Sequence, residues 1–136
     1  FLNRQGVYAT FINDRFDIIK MQAGAANDPM YFGMCKKCVP DGMGIMYWAP
    51  DHLYEGDWKD GQMHGHGTMF WPDGSKYVGE WVTGKKHGTG NYTKGTYCYE
   101  GNWKNDLKDG EGCETYPDGR RFLAFGRTVP YTKENL

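Results

Sequence analysis

A five-residue pattern, Tyr-x-Gly-x-Trp, recurs along the chain at a nearly fixed interval and constrains its fold more than any other feature. YEGDW begins at Tyr54, YVGEW begins 23 residues later at Tyr77, and YEGNW begins 22 residues after that at Tyr99. A fixed period of this length is typical of an array in which copies of one supersecondary unit stack on their neighbours. A chain of 136 residues has the size of one domain, so a single array is expected.

Each copy of the pattern is predicted to form a β-hairpin. Its Tyr, Gly and Trp stand at alternate positions, which places them on one face of a strand, while intervening residues such as Glu55 and Asp57 point the other way. WPDG at 71–74 and YPDG at 116–119 are turn sequences that mark the end of a second strand. A unit of 22 or 23 residues is too short for a crossover helix. The predicted fold is all-β, an elongated, twisted antiparallel meander of consecutive hairpins.

The glycine inside the pattern, for example Gly79, is predicted to have a packing role. Because it has no Cβ, it leaves room for an aromatic ring of a neighbouring strand to lie across the backbone. Gly65 and Gly67 are expected to do the same on the returning strand. The aromatic content supports such packing, since 10 Tyr, 7 Phe and 5 Trp accompany 20 Gly. Disordered chains are poor in aromatics, so an ordered protein is expected.

The array extends beyond its clear copies in both directions. Counting back from Tyr54 reaches Tyr31, which begins a degenerate copy with Cys35 in place of the Trp. Counting forward from Tyr99 reaches Phe122, which begins a closing half-unit in which Ala124 and Phe125 are interpreted as replacing the Gly and the Trp. The predicted division is an N-terminal capping or docking segment at 1–30, a repeat array at 31–126 with units 31–53, 54–76, 77–98, 99–121 and 122–126, and a C-terminal tail at 127–136.

The segment before the array allows two interpretations. Ile12, Phe16, Ile19 and Lys20 stand at helical spacing, which favours a helix. Tyr8 lies 23 residues before Tyr31, which favours a further, decayed hairpin. An array needs its exposed end covered, so this segment is predicted to be a cap in either case.

The stretch YEGDWKDGQMHGHGTMFWPDG at 54–74 and its two following copies resemble the MORN repeat, whose pattern is Tyr-x-Gly-x-Trp followed by a Gly-rich turn with His-Gly-x-Gly. The resemblance covers about seventy per cent of the chain. The third copy departs from it at Asp106, Lys108 and Asp109. The resemblance implies roles in cytoskeletal and ciliary structures, in membrane-contact proteins and as an accessory domain.

Cysteine and histidine positions are the candidates for metal or redox chemistry. Cys35 and Cys38 form a Cys-x-x-Cys motif, which supplies half of a zinc site or a redox pair. A second pair is missing, and Cys35 takes the place of an inward-facing Trp, so a packing role is favoured. His64, His66 and His87 precede or follow repeat glycines, and a structural role in the hairpin is favoured over catalysis. No metal site and no cofactor are predicted.

No catalytic residues are predicted either. Ser75 is the only serine in the chain and directly follows a Pro-Asp-Gly turn. The sequence contains no nucleophile elbow, phosphate-binding loop or zincin motif. The protein is therefore not expected to be an enzyme.

The repeat aromatics are the candidate partner-binding residues. They form a predicted ladder on one face of a sheet for which the sequence shows no second layer, and part of this ladder must pack against itself. Tyr and Trp are favoured at interfaces, and a curved single sheet offers an aromatic-lined groove for a helix or an extended peptide. The candidates are Tyr54, Trp58, Tyr77, Trp81, Tyr99 and Trp103.

Three functional hypotheses follow. The leading one is a non-catalytic protein–protein interaction or scaffold module that acts as an accessory subunit of a larger assembly. The second is a module that binds acidic phospholipids such as phosphoinositides and tethers to an anionic membrane surface. Residues 77–98 carry a net charge of +2 and each flanking repeat carries −2, so the lipid-binding candidates are Lys85, Lys86 and Lys94. The third is the regulatory repeat region of a longer enzyme.

Charge and terminal features give weaker expectations about partners and location. Lys and Arg number 16 against 17 Asp and Glu, and this balance argues against a nucleic-acid partner. The family resemblance implies an intracellular protein of the cytoplasm, cytoskeleton or cilium. Because the sequence begins with Phe1 rather than Met, it is interpreted as either a fragment or a processed product. If it is a processed product, a subunit of an organelle such as the mitochondrion is the other expectation.

Overall fold

A single antiparallel sheet makes up the whole described part of the chain. The computed structural model describes residues 7–13, 16–22 and 29–126, and every regular element in these ranges is a β-strand. The strand order in the sheet is the order in the chain, and each strand pairs antiparallel with the next. The predicted meander of hairpins is therefore confirmed. The strands are β1 Val7–Asn13, β2 Phe16–Gln22, β3 Met30–Lys36, β4 Val39–Trp48, β5 His52–Lys59, β6 Gln62–Phe70, β7 Lys76–Val82, β8 Lys85–Lys94, β9 Tyr97–Lys104, β10 Leu107–Thr115 and β11 Arg121–Gly126.

The segment before the array forms a hairpin, not a helix. Strands β1 and β2 pair with each other, and β2 also pairs with β3, where Met21 lies opposite Tyr31. The helical interpretation of Ile12, Phe16 and Ile19 was wrong, because the sheet edge of β3 provides hydrogen-bonding partners that local spacing does not reveal. The alternative of a further hairpin describes these residues correctly. The predicted division of the chain into cap, array and tail stays a prediction.

Two-residue turns with positive φ close the hairpins of the repeats. In the first clear copy, Asp60 and Gly61 have φ values of 50° and 79°. Both central residues of a type I′ turn require φ > 0, and this turn matches the right-handed twist of paired strands. Asn105 and Asp106 adopt φ values of 49° and 70°, so the third copy forms the same turn without glycine. The departure at Asp106 therefore leaves the turn shape unchanged.

A hydrogen bond joins each of these turns to the preceding repeat. The backbone N–H at the second turn position donates to a carbonyl of the hairpin before it, at 2.9 to 3.0 Å. The pairs are Gly61 to Pro40, Gly84 to Met63 and Asp106 to Lys86. Neighbouring hairpins are thus linked at their turns as well as along their strands.

The repeat glycines have two different roles, and only one of them was predicted correctly. A Cβ on Gly67 would lie within 2.5 Å of the Tyr54 ring, so Gly67 leaves room for that ring, as expected. A Cβ on Gly56 would instead lie 2.4 Å from the Cα of Gly67, because the two backbones pair directly. The glycine inside the Tyr-x-Gly-x-Trp pattern is therefore needed mainly for close backbone approach, and the ring lies over its partner.

Gly65 belongs to a β-bulge, and no aromatic ring of the described residues lies over it. The pairing of β5 with β6 shifts register between Met63 and Gly67, and Gly65 has a φ of 68°. The Asp57 carboxylate accepts a 3.0 Å hydrogen bond from the backbone N–H of His66, which fixes the bulge. In the next repeat the bulge glycine, Gly88, has a φ of 66°.

The closing half-unit has Gly126, not Phe125, at the position of the Trp. Gly126 pairs with Gly110, just as Trp103 pairs with Gly88 in a complete repeat. Phe125 is 73% exposed and alternates to the opposite face. The interpretation of Phe125 was wrong because the Trp stands four residues after the Tyr, whereas Phe125 stands only three after the residue that replaces it.

Candidate binding face: the aromatic ladder

An unbroken ladder of aromatic rings runs across one face of the sheet, and we call this side the ladder face. Within a repeat, the Tyr and Trp ring centroids are 5.1 Å apart. Between repeats, each Tyr lies 5.4 to 5.5 Å from the Trp of the next copy. All these pairs are edge-to-face, the arrangement that aromatic quadrupoles favour. The order along the ladder is Tyr31, Trp58, Tyr54, Trp81, Tyr77, Trp103 and Tyr99.

The polar atoms of the ladder are satisfied by backbone carbonyls. Each Tyr hydroxyl donates to the carbonyl three residues ahead; the Tyr54 bond to Asp57 measures 2.9 Å. Each Trp indole N–H donates at 3.1 Å to a glycine of the preceding repeat, as Trp58 does to Gly44. Burial raises the pKa of the Tyr54 hydroxyl far above its ordinary value, so it stays a donor. The ladder is therefore a hydrogen-bonded core as well as an apolar one.

The six residues predicted to bind a partner are the buried core of the sheet. Their exposed fractions run from 0% at Tyr54, Tyr77 and Tyr99 to 6% at Trp103. They leave a partner almost no direct contact area. Their assignment as partner-binding residues stays a prediction, and their burial means that a partner would have to contact them through more exposed neighbours.

Those neighbours are a second set of aromatic residues, which we call the outer row: Trp48, Trp71, Tyr92, Tyr97 and Tyr116. All five are half-buried. Trp48 lies 6.3 Å from Trp58 of the ladder, and Tyr92 lies 6.5 Å from Trp103. The outer row was missed in the sequence, where Trp71 and Tyr116 were interpreted only as parts of turns. The period-2 alternation Gly67, Met69, Trp71 is the pattern that could have placed Trp71 on this face.

The third repeat carries a buried polar cluster on the ladder face. Glu114 is fully buried, and Lys108 donates to its Oε1 at 2.7 Å. Tyr97 donates to the same oxygen at 3.0 Å, and Tyr116 donates to Oε2 at 2.8 Å. Burial alone would raise the pKa of the Glu114 carboxyl, but these hydrogen bonds outweigh it and hold the pKa below its ordinary value. The carboxylate therefore stays charged inside the sheet.

Lys86 in the second repeat lies among aromatic rings. Its Nζ is 4.7 Å from the ring centroid of Trp103 and 5.4 Å from that of Trp71. The rings of Tyr77 and Tyr92 are 5.8 and 5.6 Å away. This is a cation–π arrangement that draws rings from three consecutive repeats. Burial lowers the pKa of the Lys86 ammonium, opposed in part by the charge of Asp106.

The three predicted lipid-binding lysines do not come together in the structure. Lys85 pairs with Val82 and is exposed on the face opposite Lys86. Lys94 ends the strand that Lys85 begins, on the order of 30 Å away, and forms an ion pair with Asp73 at 3.4 Å. Lipid binding by these residues stays a prediction that their separation does not favour.

The cysteine and histidine candidates are likewise dispersed. Cys35 is 2% exposed and pairs with Pro40, as Trp58 pairs with Met63, so it occupies the Trp position as predicted. Cys38 is exposed in the adjacent turn, with a φ of 61°. Among residues 7–13, 16–22 and 29–126, no group of three or more His, Cys, Asp or Glu side chains is placed to hold a metal ion.

His64 and His87 stand at the bulges of their strands, beside Gly65 and Gly88, rather than in a joint cluster. His87 Nδ1 is buried without a hydrogen-bond partner among the described residues. This position fits the structural role that the sequence favoured. The sequence did not indicate that His87 Nδ1 would be buried without a hydrogen-bond partner among the described residues.

The fold and this face define a β-hairpin repeat array with a hydrogen-bonded aromatic ladder. The family model described as MORN repeat matches three consecutive segments, 54–76, 77–98 and 99–120. The chain is therefore a MORN-repeat protein. MORN repeats are in general binding repeats for proteins or membranes, and proteins that carry them are typically non-catalytic.

No curated protein matches the chain in sequence. In the part of the chain that the structure describes, no helix is long and apolar enough to cross a membrane.

Proposed function

We propose that this chain is a non-catalytic docking module that holds a helix or an extended segment of a partner protein against its ladder face. In this role it serves as an accessory or scaffold subunit of a larger assembly. MORN repeats in general bind proteins or membranes. Here we assign the binding to the ladder face and the partner to the class of proteins.

The outer row is the observation that carries this proposal. Large aromatic side chains that remain half-buried on an already packed core offer rigid contact area that costs little conformational entropy. Trp71 and Tyr92 lie 6.1 Å apart and Tyr97 and Tyr116 lie 5.5 Å apart, so the rings form adjoining contacts along the sheet. Since the described strands form one sheet, no second layer among them covers this row.

The opposite face offers a competing surface near the start of the array. An apolar hollow of about 280 Å³ lies there between β3 and β5, lined by residues such as Phe32, Met43 and Ile45. Phe32 and Met43 are 58% and 57% exposed. A binding experiment therefore has to distinguish the two faces.

Two adjacent aromatic residues at the end of β6 provide matched variants that distinguish the two faces. Phe70 and Trp71 are adjacent aromatics that alternate to opposite faces, and Phe70 is 38% exposed. Tagged wild-type protein, Trp71→Ser, Phe70→Ser and Phe32→Ser would be used to capture partners from the source cells, with quantitative mass spectrometry. Circular dichroism and melting temperature would confirm that each variant is folded.

We expect a stoichiometric set of proteins with wild type and Phe70→Ser, and its loss with Trp71→Ser. Equal capture by folded Trp71→Ser would contradict docking on the ladder face, and selective loss with Phe32→Ser would assign docking to the opposite face.

Lipid binding is the second candidate function, because residues 77–98 carry a net charge of +2. Flotation with vesicles of phosphatidylcholine and phosphatidylserine, run in parallel, tests it directly. Flotation without any stable protein partner would replace the docking proposal with membrane tethering.

If the repeats instead regulate a longer enzyme, the captured partner would be a domain of the same polypeptide in the source cells.

A further inference from the structure

At two positions on the ladder face, the residue types differ from one repeat to the next. The first position pairs with the repeat Trp, and the second lies two residues after the glycine under the Tyr ring. The first clear repeat has Met63 and Met69 at these positions, the second has Lys86 and Tyr92, and the third has Lys108 and Glu114.

In the third repeat the two positions complement each other. The Lys108 ammonium donates to Glu114 Oε1 and to the Tyr97 hydroxyl, both at 2.7 Å. It also lies 4.7 Å from the Tyr99 ring centroid. A half-buried lysine on this face is thus accompanied by aromatic rings and a carboxylate together.

In the second repeat only the aromatic rings are present. Lys86 Nζ has ring neighbours within 5.8 Å, yet among the described residues it makes no hydrogen bond and no ion pair. An ammonium group carries three N–H donors. Lys86 is half-buried and its Nζ is not closed off from solvent, so these donors remain available to an acceptor from a partner. The negative charge of Asp106 favours the charged form of Lys86. Its carboxylate, however, accepts a hydrogen bond from the backbone N–H of Lys86 and not from Nζ.

We propose that the Lys86 basin, formed by Lys86, Trp71, Tyr77, Tyr92 and Trp103, binds a carboxylate from an Asp or Glu side chain of the partner polypeptide. This proposal rests on docking at the ladder face. The partner's carboxylate accepts a hydrogen bond from Lys86 in the second repeat, as Glu114 does from Lys108 in the third. A charge-assisted hydrogen bond beside apolar rings is stronger than one in open water, so this contact orients the docked segment.

Charge complementarity favours a side-chain carboxylate over a lipid headgroup. The repeats on either side of 77–98 each carry −2, which repels an extended anionic surface. The ammonium also lies between the ladder and the outer row, where a single side chain can enter more readily than a bilayer surface. The third repeat provides a carboxylate, not a phosphate, as the internal precedent.

Two variants based on the neighbouring repeats test the site while preserving its packing. Lys86→Met introduces the residue that the first repeat has at that position, and Tyr92→Glu introduces the carboxylate of the third repeat. Phenylacetate serves as the probe because it joins an aromatic ring to a carboxylate. Phenylacetamide is its neutral counterpart, and inorganic phosphate represents the headgroup chemistry. Binding would be measured by NMR on protein with labelled lysine side chains and tryptophan indoles.

We expect phenylacetate to shift the signals of Lys86, Trp71 and Trp103, and to bind about tenfold more weakly to Lys86→Met and to Tyr92→Glu. Phenylacetamide should bind more weakly to the wild type by a similar factor. Equal binding of the acid and the amide, binding unaffected by Lys86→Met, or no shift at the highest soluble concentration would each overturn the proposal. Preferential binding of phosphate or of anionic vesicles at Lys86 would overturn it in favour of a headgroup site.

Partner capture separates this proposal from docking itself. If the ladder face docks a protein through a carboxylate at Lys86, capture is weakened in both variants and retained in the control Asn91→Ala, an exposed position of the same strand on the opposite face. Capture that is lost with Trp71→Ser but unchanged in Lys86→Met would leave docking intact and refute the carboxylate site. Capture lost in neither would refute docking on this face.

Discussion

The indole N–H of Trp81 donates a 3.1 Å hydrogen bond to the carbonyl of Gly67, fourteen residues earlier in the preceding repeat. The same side chain lies edge-to-face with Tyr54 of that repeat, at 5.5 Å between ring centroids. One tryptophan thus provides both a polar and an apolar link between neighbouring hairpins. This explains why the Trp of the pattern recurs at the period of the repeat and not merely within a strand.

Removing this side chain should destabilise the array strongly. Trp81 is 3% exposed, and truncation of a buried aromatic to alanine typically costs about 3 to 5 kcal/mol. We expect Trp81→Ala to lower the free energy of unfolding in urea by an amount in that range. Val82→Thr, on the opposite face at 38% exposure, is the control and should change it little. A Trp81→Ala effect within error of zero would contradict the role of Trp81 as a link between repeats.

Close backbone approach at Gly79 should make that position intolerant of any side chain. A Cβ there would lie 2.5 Å from the Cα of Gly90 and 2.8 Å from the Tyr77 hydroxyl oxygen, and backbone cannot move aside as a flexible side chain can. We expect Gly79→Val to cost about 3 kcal/mol or more, compared with less than about 1 kcal/mol for Val78→Thr on the exposed face. Similar losses for the two variants, measured by denaturant unfolding, would refute this account.

The buried pair Lys108 and Glu114 should show strong coupling. Replacing either residue alone with methionine leaves an uncompensated buried charge, which costs about 3 to 5 kcal/mol. Replacing both recreates the Met63 and Met69 pair of the first repeat, so the double variant should recover most of the loss. A double-mutant cycle of unfolding free energies measures this directly. Losses that simply add would show that the two side chains do not stabilise each other.

The alternation of Tyr, Gly and Trp predicted the architecture because a two-residue period assigns each side chain to a face. The same period also placed Cys35 correctly. It could not reveal how exposed a ring would be, since the 5% exposure of Trp58 depends on packing by rings from other strands and repeats, such as Tyr31. The face on which the repeat aromatics lie was therefore predicted, but the aromatic side chains that stay accessible on it were not.

Lys86 and Glu114 illustrate a second limit of the sequence. On sequence alone, Lys86 was grouped with Lys85 and Lys94 by proximity in the chain, although strand alternation sends Lys85 to the other face. Glu114 gave no indication of burial, because its environment depends on Lys108 and Tyr97 across strands. Charges inside a sheet are determined by pairing register, which local composition does not specify.

Metal removal should leave the protein unchanged. Cys35 is buried at the position of a repeat Trp, whereas Cys38 is exposed, and the described residues contain no set of three metal ligands. Treatment with a chelator should therefore not alter the melting temperature, because chelation lowers stability only where metal binding is coupled to folding. Wild type and Cys38→Ser should also melt alike. A large drop in melting temperature on chelation would establish a metal site.

Acid should weaken the array through Glu114. Its folded-state pKa lies below the ordinary value because Lys108, Tyr116 and Tyr97 donate to the carboxylate and outweigh the effect of burial. A carboxyl group with a depressed folded-state pKa contributes stability above its unfolded pKa, and this contribution is lost as pH falls through the folded value. Unfolding free energy should thus decline below about pH 4.5, the ordinary range for a glutamate.

The methionine double variant of Lys108 and Glu114 provides the control for this dependence, because it keeps the packing and removes the titrating group. Urea unfolding at a series of pH values should show a smaller acid-induced loss in the double variant than in wild type. Glu80 also has a depressed pKa, because it accepts hydrogen bonds from Thr89, and it adds a background slope that both proteins share. Identical pH profiles for the two proteins would show that the Glu114 carboxylate does not contribute to the acid sensitivity of the fold.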